Sequence, residues 1–211
     1  MFFEIDMFYK KLIDWFGSSI TTFGFLKKYK ITSGDIVIDA GAYLGHFTIL
    51  AAKKVGKSGK VIAFEPSPAN FKILNEKISR SGFKNILVIK KALYDKRGTL
   101  FFSKELTSKS PLKEYKDKKY QEKVKSTTLD YELEKRGIKK VDFIKMDIEG
   151  AEIEAIKGGE KVLSNTKNFA IACYHKRNNV TTDKIINPLL TKMGFKTSKG
   201  FFLHLTLYGS K

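Results

Sequence analysis

The chain has 211 residues, of which 42% are hydrophobic and 29% charged, a composition typical of a soluble globular protein with one domain and a proper core. No apolar run approaches the roughly 20 residues that a membrane-spanning helix needs, and Glu4 and Asp6 argue against a signal peptide. The single cysteine, Cys173, excludes an internal disulfide and fits a reducing compartment, so we expect a cytoplasmic protein.

The formal net charge of +18 arises from 40 lysines and arginines against 22 acids. Only four of these basic residues are arginine, the favoured bidentate ligand of phosphate, and the lysines are spread along the chain. Two interpretations stay open. One is a lysine-rich solvated surface, as in heat-adapted proteins, and the other is attraction towards an anionic substrate or membrane surface.

Residues 1–30 are predicted to form a helical cap that precedes a single main domain at 31–211. Apolar side chains recur there at helical spacing, at Ile5, Phe8, Tyr9, Leu12 and Phe16. This helix would cover the sheet or a cofactor pocket. Because aromatic residues dominate its apolar face, peripheral contact with a membrane surface or a dimer interface is the alternative.

The stretch from Ile36 to Ser67 predicts a β-α-β unit. Residues 36–38 are a β-branched run that suits a strand buried on both faces, and 61–64 form a second such run. A helix runs between them, from about Gly45 to Val55. Ligands of such sheets bind outside the carboxyl ends of the strands.

Each of these two strands ends in an acid, Asp39 on the first and Glu65 on the second, and Gly41 and Gly45 permit a tight turn after Asp39. A dinucleotide fingerprint needs G-x-G-x-x-G, whereas this turn reads D-x-G-x-x-x-G. A carboxylate before the first glycine would repel a pyrophosphate, but it suits the amino group and sulfonium of S-adenosylmethionine. Glu65 would then accept hydrogen bonds from the ribose diol.

Beyond Glu65, Pro66 ends the second strand, and a helix that Ser67 caps runs from Pro68 to about Gly82. Residues 86–89 predict a third buried strand. An insertion at about 98–126 follows.

This insertion predicts a small hairpin, with strands at 99–103 and 124–126. The segment Lys104–Lys123 between them has almost no aliphatic residues and cannot bury enough surface to hold itself rigid. We interpret it as a mobile lid beside the site, with a plain solvated insertion as the alternative.

The second half of the chain continues the alternation of helices and strands. The elements predicted there are a helix from Thr128 to Arg136, a strand at 141–146, a helix to about Ser164, a strand at 169–173, a helix at 182–193 and two terminal strands at 195–198 and 201–208. Alternation of this kind indicates an α/β protein with a mostly parallel sheet.

Four blocks of sequence together resemble the FkbM family of S-adenosylmethionine-dependent methyltransferases. They are DAGAYLGHFT at 39–48, AFEPS at 63–67, TTLD at 127–130 and IKMDIEGAE at 144–152. The similarity covers roughly residues 34–175. It implies a class I methyltransferase (Rossmann-like) fold, with a seven-stranded mostly parallel sheet, helices on both faces and the last strand antiparallel. It also implies O-methylation of hydroxyls on sugars or natural products.

Carried over by position, the resemblance assigns Asp39, Gly41, Ala42, Tyr43 and Gly45 to the methionine part of the cofactor, Glu65 to the ribose, and Ala92 and Leu93 to the adenine. The same blocks contain Thr48, Pro66, Ser67 and Asp147, which complete the predicted cofactor set. The chain departs from the family at Cys173, where an acid often stands two residues before His175.

For the chemistry, the candidates are His175, Asp147 and Glu149, which follow predicted central strands. His175 is a plausible general base because its pKa lies near neutrality. Asp147 would orient the acceptor hydroxyl, bind a divalent cation with Glu149, or hold the cofactor. Acids such as Glu149 and Glu152 are also favoured at the start of a helix regardless of chemistry.

Two rival functions stay open. The positive charge would suit an RNA or DNA methyltransferase, but enzymes that methylate exocyclic nitrogens usually carry N/D-P-P-Y/F after the fourth strand, and this chain has Asp147-Ile148-Glu149-Gly150 there. Those acids would also repel phosphate, so nucleic acid is disfavoured against a small-molecule or glycan acceptor. The second rival is a non-catalytic binding module on the same fold.

Overall fold

The computed structural model describes residues 22–103, 121–177, 179–201 and 205–211. The predicted amphipathic helix at 5–16 and the central part of the predicted lid, 104–120, lie outside the described residues. Among the helices that are described, none is long and apolar enough to span a bilayer.

The described chain alternates between strands and helices. The strands are β1 (Ile36–Ala40), β2 (Lys60–Phe64), β3 (Ile86–Ile89), β4 (Ala92–Leu93), β5 (Gly98–Ser103), β6 (Gln121–Thr127), β7 (Val141–Met146), β8 (Thr166–Ala172), β9 (Lys176–Arg177), β10 (Val180–Thr181), β11 (Lys196–Phe201) and β12 (Leu205–Ser210). The helices are α1 (His46–Val55), α2 (Pro68–Ser81), α3 (Leu129–Glu134), α4 (Glu152–Lys157), α5 (Glu160–Ser164) and α6 (Asp183–Lys192).

Within these residues a seven-stranded sheet has the order β11-β12-β8-β7-β1-β2-β3. The strands from β8 to β3 are parallel, and β12 is antiparallel to both β8 and β11. The prediction of a class I methyltransferase sheet is thereby confirmed. The chain leaves β1 towards β2 on one side and later returns to β7 on the other, so a crevice opens at the carboxyl ends of these strands.

The sheet is buried on both faces, as the β-branched runs predict. One face packs Ile38, Ile62 and Ile144 and the other packs Val37, Val61 and Phe143. The register between β1 and β7 places Lys145 beside Asp39.

The inserted hairpin is confirmed, since β5 pairs antiparallel with β6, which also pairs with β4. Thr128 caps α3 as predicted, because its hydroxyl accepts the Tyr131 N–H at 3.1 Å. Ser67 occupies the N-cap position of α2, but its side chain makes no capping hydrogen bond, so that part of the prediction is wrong.

The single helix predicted to run to Ser164 is two helices, α4 and α5, with a break at Gly158 and Gly159. A Cβ at Gly158 would lie 2.1 Å from the carbonyl oxygen of Tyr94. The chain therefore needs a glycine where it passes the end of β4, and the helix stops there.

Candidate active site

The turn after β1 depends on glycine. Gly41 has φ +79, and a Cβ on it would lie 1.9 Å from the carbonyl oxygen of Asp147. Gly45 has φ +83, and a Cβ there would lie 2.4 Å from Cδ1 of Leu74. Tyr43, between them, is a half-exposed non-glycine residue with φ 50. Backbone strain of this kind concentrates where the chain binds ligands.

Glu65 joins the ends of β1 and β2. One carboxylate oxygen accepts the backbone N–H of Tyr43 at 2.8 Å, and the other accepts the N–H of Ser67 at 3.0 Å. Burial raises the pKa of Glu65 to about 7, although these hydrogen bonds and one from Asn70 oppose the shift. Since a carboxylate has about four lone-pair directions and three are used here, one direction, on Oε2, remains for a ribose hydroxyl.

Asp39 lies beneath the glycine turn and is fully buried. Its Oδ2 accepts the Thr48 hydroxyl at 2.5 Å, and its Oδ1 lies 3.1 Å from Nζ of Lys145. Oδ1 accepts no hydrogen bond, so the second contact is electrostatic. Direct contact between Asp39 and the amino group of a cofactor stays a prediction, because this carboxylate faces a cation of the chain itself.

The remaining predicted cofactor residues take their places around this turn. The N–H of Ala42 donates to the Phe64 carbonyl at 2.9 Å, which fastens the turn to the end of β2. Pro66 is partly exposed beyond Glu65. Ala92 and Leu93 form the short buried strand β4 after β3. Contacts of these residues with a cofactor stay predictions.

The loop after β7 carries Asp147 and Glu149 and leads into Glu152, the first residue of α4. Glu149 is a second strained non-glycine residue, with φ 55. Glu152 is fully buried, and its Oε1 accepts the backbone N–H groups of Ile148 and Gly150 at 3.2 Å each. The Glu152 carboxylate therefore fixes the backbone of the loop that precedes it.

His175, beyond the end of β8, lies against this loop. Its Nε2 is 3.2 Å from Oε2 of Glu149, and its Nδ1 is 3.6 Å from Oε1 of Glu152. The Tyr174 ring lies 4.1 Å from the imidazole, and its hydroxyl donates to Oδ1 of Asp147 at 3.5 Å. The structure thus brings together the candidate base and the predicted acids.

The charged groups in this cluster shift one another's pKa values. Burial lowers the pKa of His175, but the hydrogen bond with Glu149 and the charge of Glu152 outweigh it, so the net shift is upward. Burial raises the pKa of Glu152 to about 7, with His175 opposing the rise. Titratable groups whose pKa values are shifted by burial and by neighbouring charges are typical of sites of acid–base catalysis.

Arg177 is a residue of this region that the sequence did not single out. Its guanidinium makes a bidentate pair with Glu154 at 3.0 Å for both contacts, and it donates to the Gly150 carbonyl at 2.9 Å. It therefore ties the β9–β10 hairpin to the loop after β7. His175, two residues before Arg177, lies between this hairpin and the loop after β7.

In the part of the chain that the structure describes, no group of three or more His, Cys, Asp or Glu side chains is arranged to hold a metal ion. A divalent cation at Asp147 and Glu149 would therefore need further ligands of another kind, and this alternative stays a prediction. The residues of the glycine turn do fit a sulfonium nucleoside, because Glu65 offers an acceptor for the ribose and the turn allows close approach.

Known proteins match this chain in sequence and in fold. A family model described as the methyltransferase FkbM domain matches residues 39–197. The methyltransferase sdnD of Sordaria araneosa is 25% identical over 160 residues, covering 61% of this chain and 61% of that protein. The matched region is thus about three fifths (61%) of that relative's length.

Two solved structures share the fold. Methyltransferase FkbM from Methylobacillus flagellatus KT has a TM-score of 0.64 at 18% identity, over 87% of this chain and 45% of that one. Aeropyrum pernix fibrillarin, solved with natively bound S-adenosylmethionine, has a TM-score of 0.56 at 12% identity, over 85% and 67%. Since the family model covers most of the sequence, the chain belongs to the FkbM family of S-adenosylmethionine-dependent methyltransferases.

Proposed function

We propose that the protein transfers the methyl group of S-adenosylmethionine to a hydroxyl of a sugar, a glycan or a small natural product, with His175 as general base. The observation that carries this proposal is the position of His175. Its imidazole lies between Glu149 and Glu152, at the same sheet edge as Glu65 and the glycine turn.

The cofactor, when bound, supplies a methyl group that its sulfonium has already activated. The tasks left to the protein are to hold the acceptor hydroxyl in line and to take its proton. A side chain with a pKa near neutrality suits the second task at physiological pH.

The two carboxylates beside His175 have different surroundings, and this difference assigns their roles. Glu152 is fully buried, whereas the Glu149 side chain is 30% exposed. We assign Glu152 to orient Nδ1–H and to stabilise the imidazolium, as a buried carboxylate does in other acid–base pairs. The separation of 3.6 Å from Nδ1 to Glu152 is longer than a hydrogen bond, as is common before a substrate binds.

Nε2 is then the atom that receives the proton. It points to the more open side, where Glu149 now lies. The acceptor hydroxyl would enter between them and donate its proton to Nε2, with the carboxylates of Glu149 and Asp147 beside it. Tyr174, in contact with both His175 and Asp147, would hold these groups in place.

The experiment is transfer of isotope-labelled methyl from S-adenosylmethionine into a cell extract that is then separated into glycan, lipid, RNA and small-molecule fractions. We expect label in the glycan or small-molecule fraction, and at least about a hundredfold less with the His175→Ala variant. Label in RNA would contradict the proposal and favour the nucleic-acid rival. Absence of label in every fraction would favour a binding module.

A further inference from the structure

Lys145 is a buried cation next to the cofactor turn that the proposed reaction does not use. Lys145 is only 6% exposed and lies on β7, a central strand of the sheet. Its Nζ donates to the carbonyl of Gly41 at 2.6 Å and to that of Ala40 at 3.4 Å, and lies 3.1 Å from Asp39. The Phe25 ring covers it, with Nζ 5.4 Å from the ring centroid.

A buried ammonium is a costly choice for this position. Desolvation of each charge costs several kcal/mol, and replacing a buried ion pair by apolar residues is often neutral or stabilising. Packing alone therefore does not explain a lysine here. What only a cation with several donors provides is a simultaneous hold on a carboxylate and on backbone carbonyls.

Those carbonyls belong to the turn on which the cofactor site depends. On its amide side, the same turn is held by β2, because the N–H groups of Gly41 and Ala42 donate to the Phe64 carbonyl and that of Tyr43 donates to Glu65. On the opposite side of the turn, Lys145 donates to the carbonyl groups of residues 40 and 41. The left-handed backbone of Gly41 is thus fixed from both directions before any ligand arrives.

The pair also sets the charge of the site. Asp39 and Lys145 together are neutral, so Glu65 is the acid of the β1–β2 edge that meets a cationic nucleoside. Burial has the larger effect on Glu65 and raises its pKa, but the positive charge of Lys145 lowers it. Lys145 therefore favours the ionised form of Glu65, which accepts a hydrogen bond from a ribose.

We propose that Lys145 is a positioning residue for S-adenosylmethionine, which shapes the turn at residues 40–41 and neutralises Asp39, and that Asp39 contributes to binding through Lys145. This inference rests on the proposed function only in placing the cofactor at this turn. It predicts that the hold on the backbone and the neutralisation of charge are separable by mutation.

The test compares Lys145→Met with the double variant Asp39→Asn/Lys145→Met, using calorimetric titration with S-adenosylmethionine and thermal unfolding. Lys145→Met leaves a buried carboxylate unpaired and should lower both the melting temperature and the affinity. The double variant removes the unpaired charge and should regain most of the melting temperature. Its affinity should stay about tenfold to a hundredfold weaker than wild type, because the carbonyls lose a charged donor.

A second ion pair, which shares strand β7 with Lys145, provides the control. Asp142 and Lys167 form an ion pair of 2.6 Å at the opposite end of β7 and β8. Asp142→Asn/Lys167→Met should leave the affinity for S-adenosylmethionine unchanged.

Wild-type affinity in the Asp39→Asn/Lys145→Met variant would overturn the inference, because Lys145 would then serve only to balance a charge. An equal loss of affinity in the Asp142→Asn/Lys167→Met control would overturn it too. If Lys145→Met alone does not fold, the double variant carries the test. Binding needs no acceptor, so failure of methyl transfer to hydroxyls would refute the proposed function without touching this result.

Discussion

The two halves of the crevice are built by different means. In the proposed cofactor half, formed by residues 39–45 and Glu65, close backbone approach at Gly41 and a buried ion pair set the shape. In the proposed acceptor half, formed by Asp147, Glu149, Glu152 and His175, interacting titratable side chains set the properties. The first half should therefore respond mainly to changes of shape, and the second to changes of charge and pH.

The halves also share a feature. Each contains a non-glycine residue in the left-handed region, Tyr43 with φ 50 in one and Glu149 with φ 55 in the other. Such strain costs on the order of 1–3 kcal/mol per residue and persists only where the surroundings enforce it. Here Glu65 accepts the backbone N–H of Tyr43, and His175 contacts the side chain of Glu149.

The largest effect is expected in the acceptor half. His175→Ala should lower turnover by about 10²–10⁴-fold, the usual contribution of a general base. Its affinity for S-adenosylmethionine should stay at the wild-type value, because His175 lies outside the cofactor half. Steady-state rates with labelled cofactor and calorimetric titration measure the two quantities, and unchanged turnover would remove His175 from the mechanism.

Next is a change of shape in the cofactor half. Gly41→Ala puts a Cβ 1.9 Å from a backbone oxygen, so the turn must move, and displacements of about 1 Å cost roughly 10²-fold in a positioned site. We expect at least that loss of affinity for S-adenosylmethionine in titrations.

The matched control for this change is Gly82→Ala. Gly82 has a similar φ of +72 but nothing within 4 Å of the added Cβ. It should lose only the about 1–2 kcal/mol of unfolding free energy that a left-handed alanine costs. Equal losses of stability and affinity in both variants would show that the close approach at Gly41 is unimportant.

A smaller effect is expected from charge in the cofactor half. Glu65→Gln should weaken binding of S-adenosylmethionine by about tenfold, the value of a hydrogen bond to a charged group. Because burial raises the pKa of Glu65 to about 7, the wild-type affinity should increase as pH rises through neutrality and the carboxylate forms. Titrations across this range check both points. A pH dependence that persists in the variant would assign it to another group.

The smallest effect is a shift of a pH profile in the acceptor half. The Glu149 carboxylate stabilises protonated His175 and helps to raise its pKa. Glu149→Gln should therefore lower that pKa, so the base becomes available at lower pH and the acid limb of the turnover profile moves in that direction. Movement to higher pH would contradict the assigned arrangement, and Glu65→Gln is the control that should leave this limb in place.

Much of the cofactor half could be predicted because its signals are local. The β-branched run before Asp39 and the glycines after it define a strand and its turn within ten residues. The cap at Thr128 is local too. The break at Gly158 was missed because its cause, the Tyr94 carbonyl, comes from a distant segment.

Two residues of the site were missed, and only one of them, Lys145, acts over a still longer separation. Lys145 and Asp39 are 106 positions apart in the sequence (145 minus 39), and they are in contact because β1 and β7 pair in parallel register. A lysine inside the otherwise apolar end of β7 was the available signal. Arg177 gave no such signal, since its partner Glu154 is on another element and arginine is common on surfaces.

The most direct test of the account is a crystal structure with S-adenosylhomocysteine bound. We predict that a ribose hydroxyl lies within hydrogen-bond distance of Glu65, and that the sulfur faces the side of the crevice occupied by Asp147 and His175. A nucleoside bound away from Glu65, or a sulfur that faces away from His175, would contradict the division of the crevice into a cofactor half and an acceptor half.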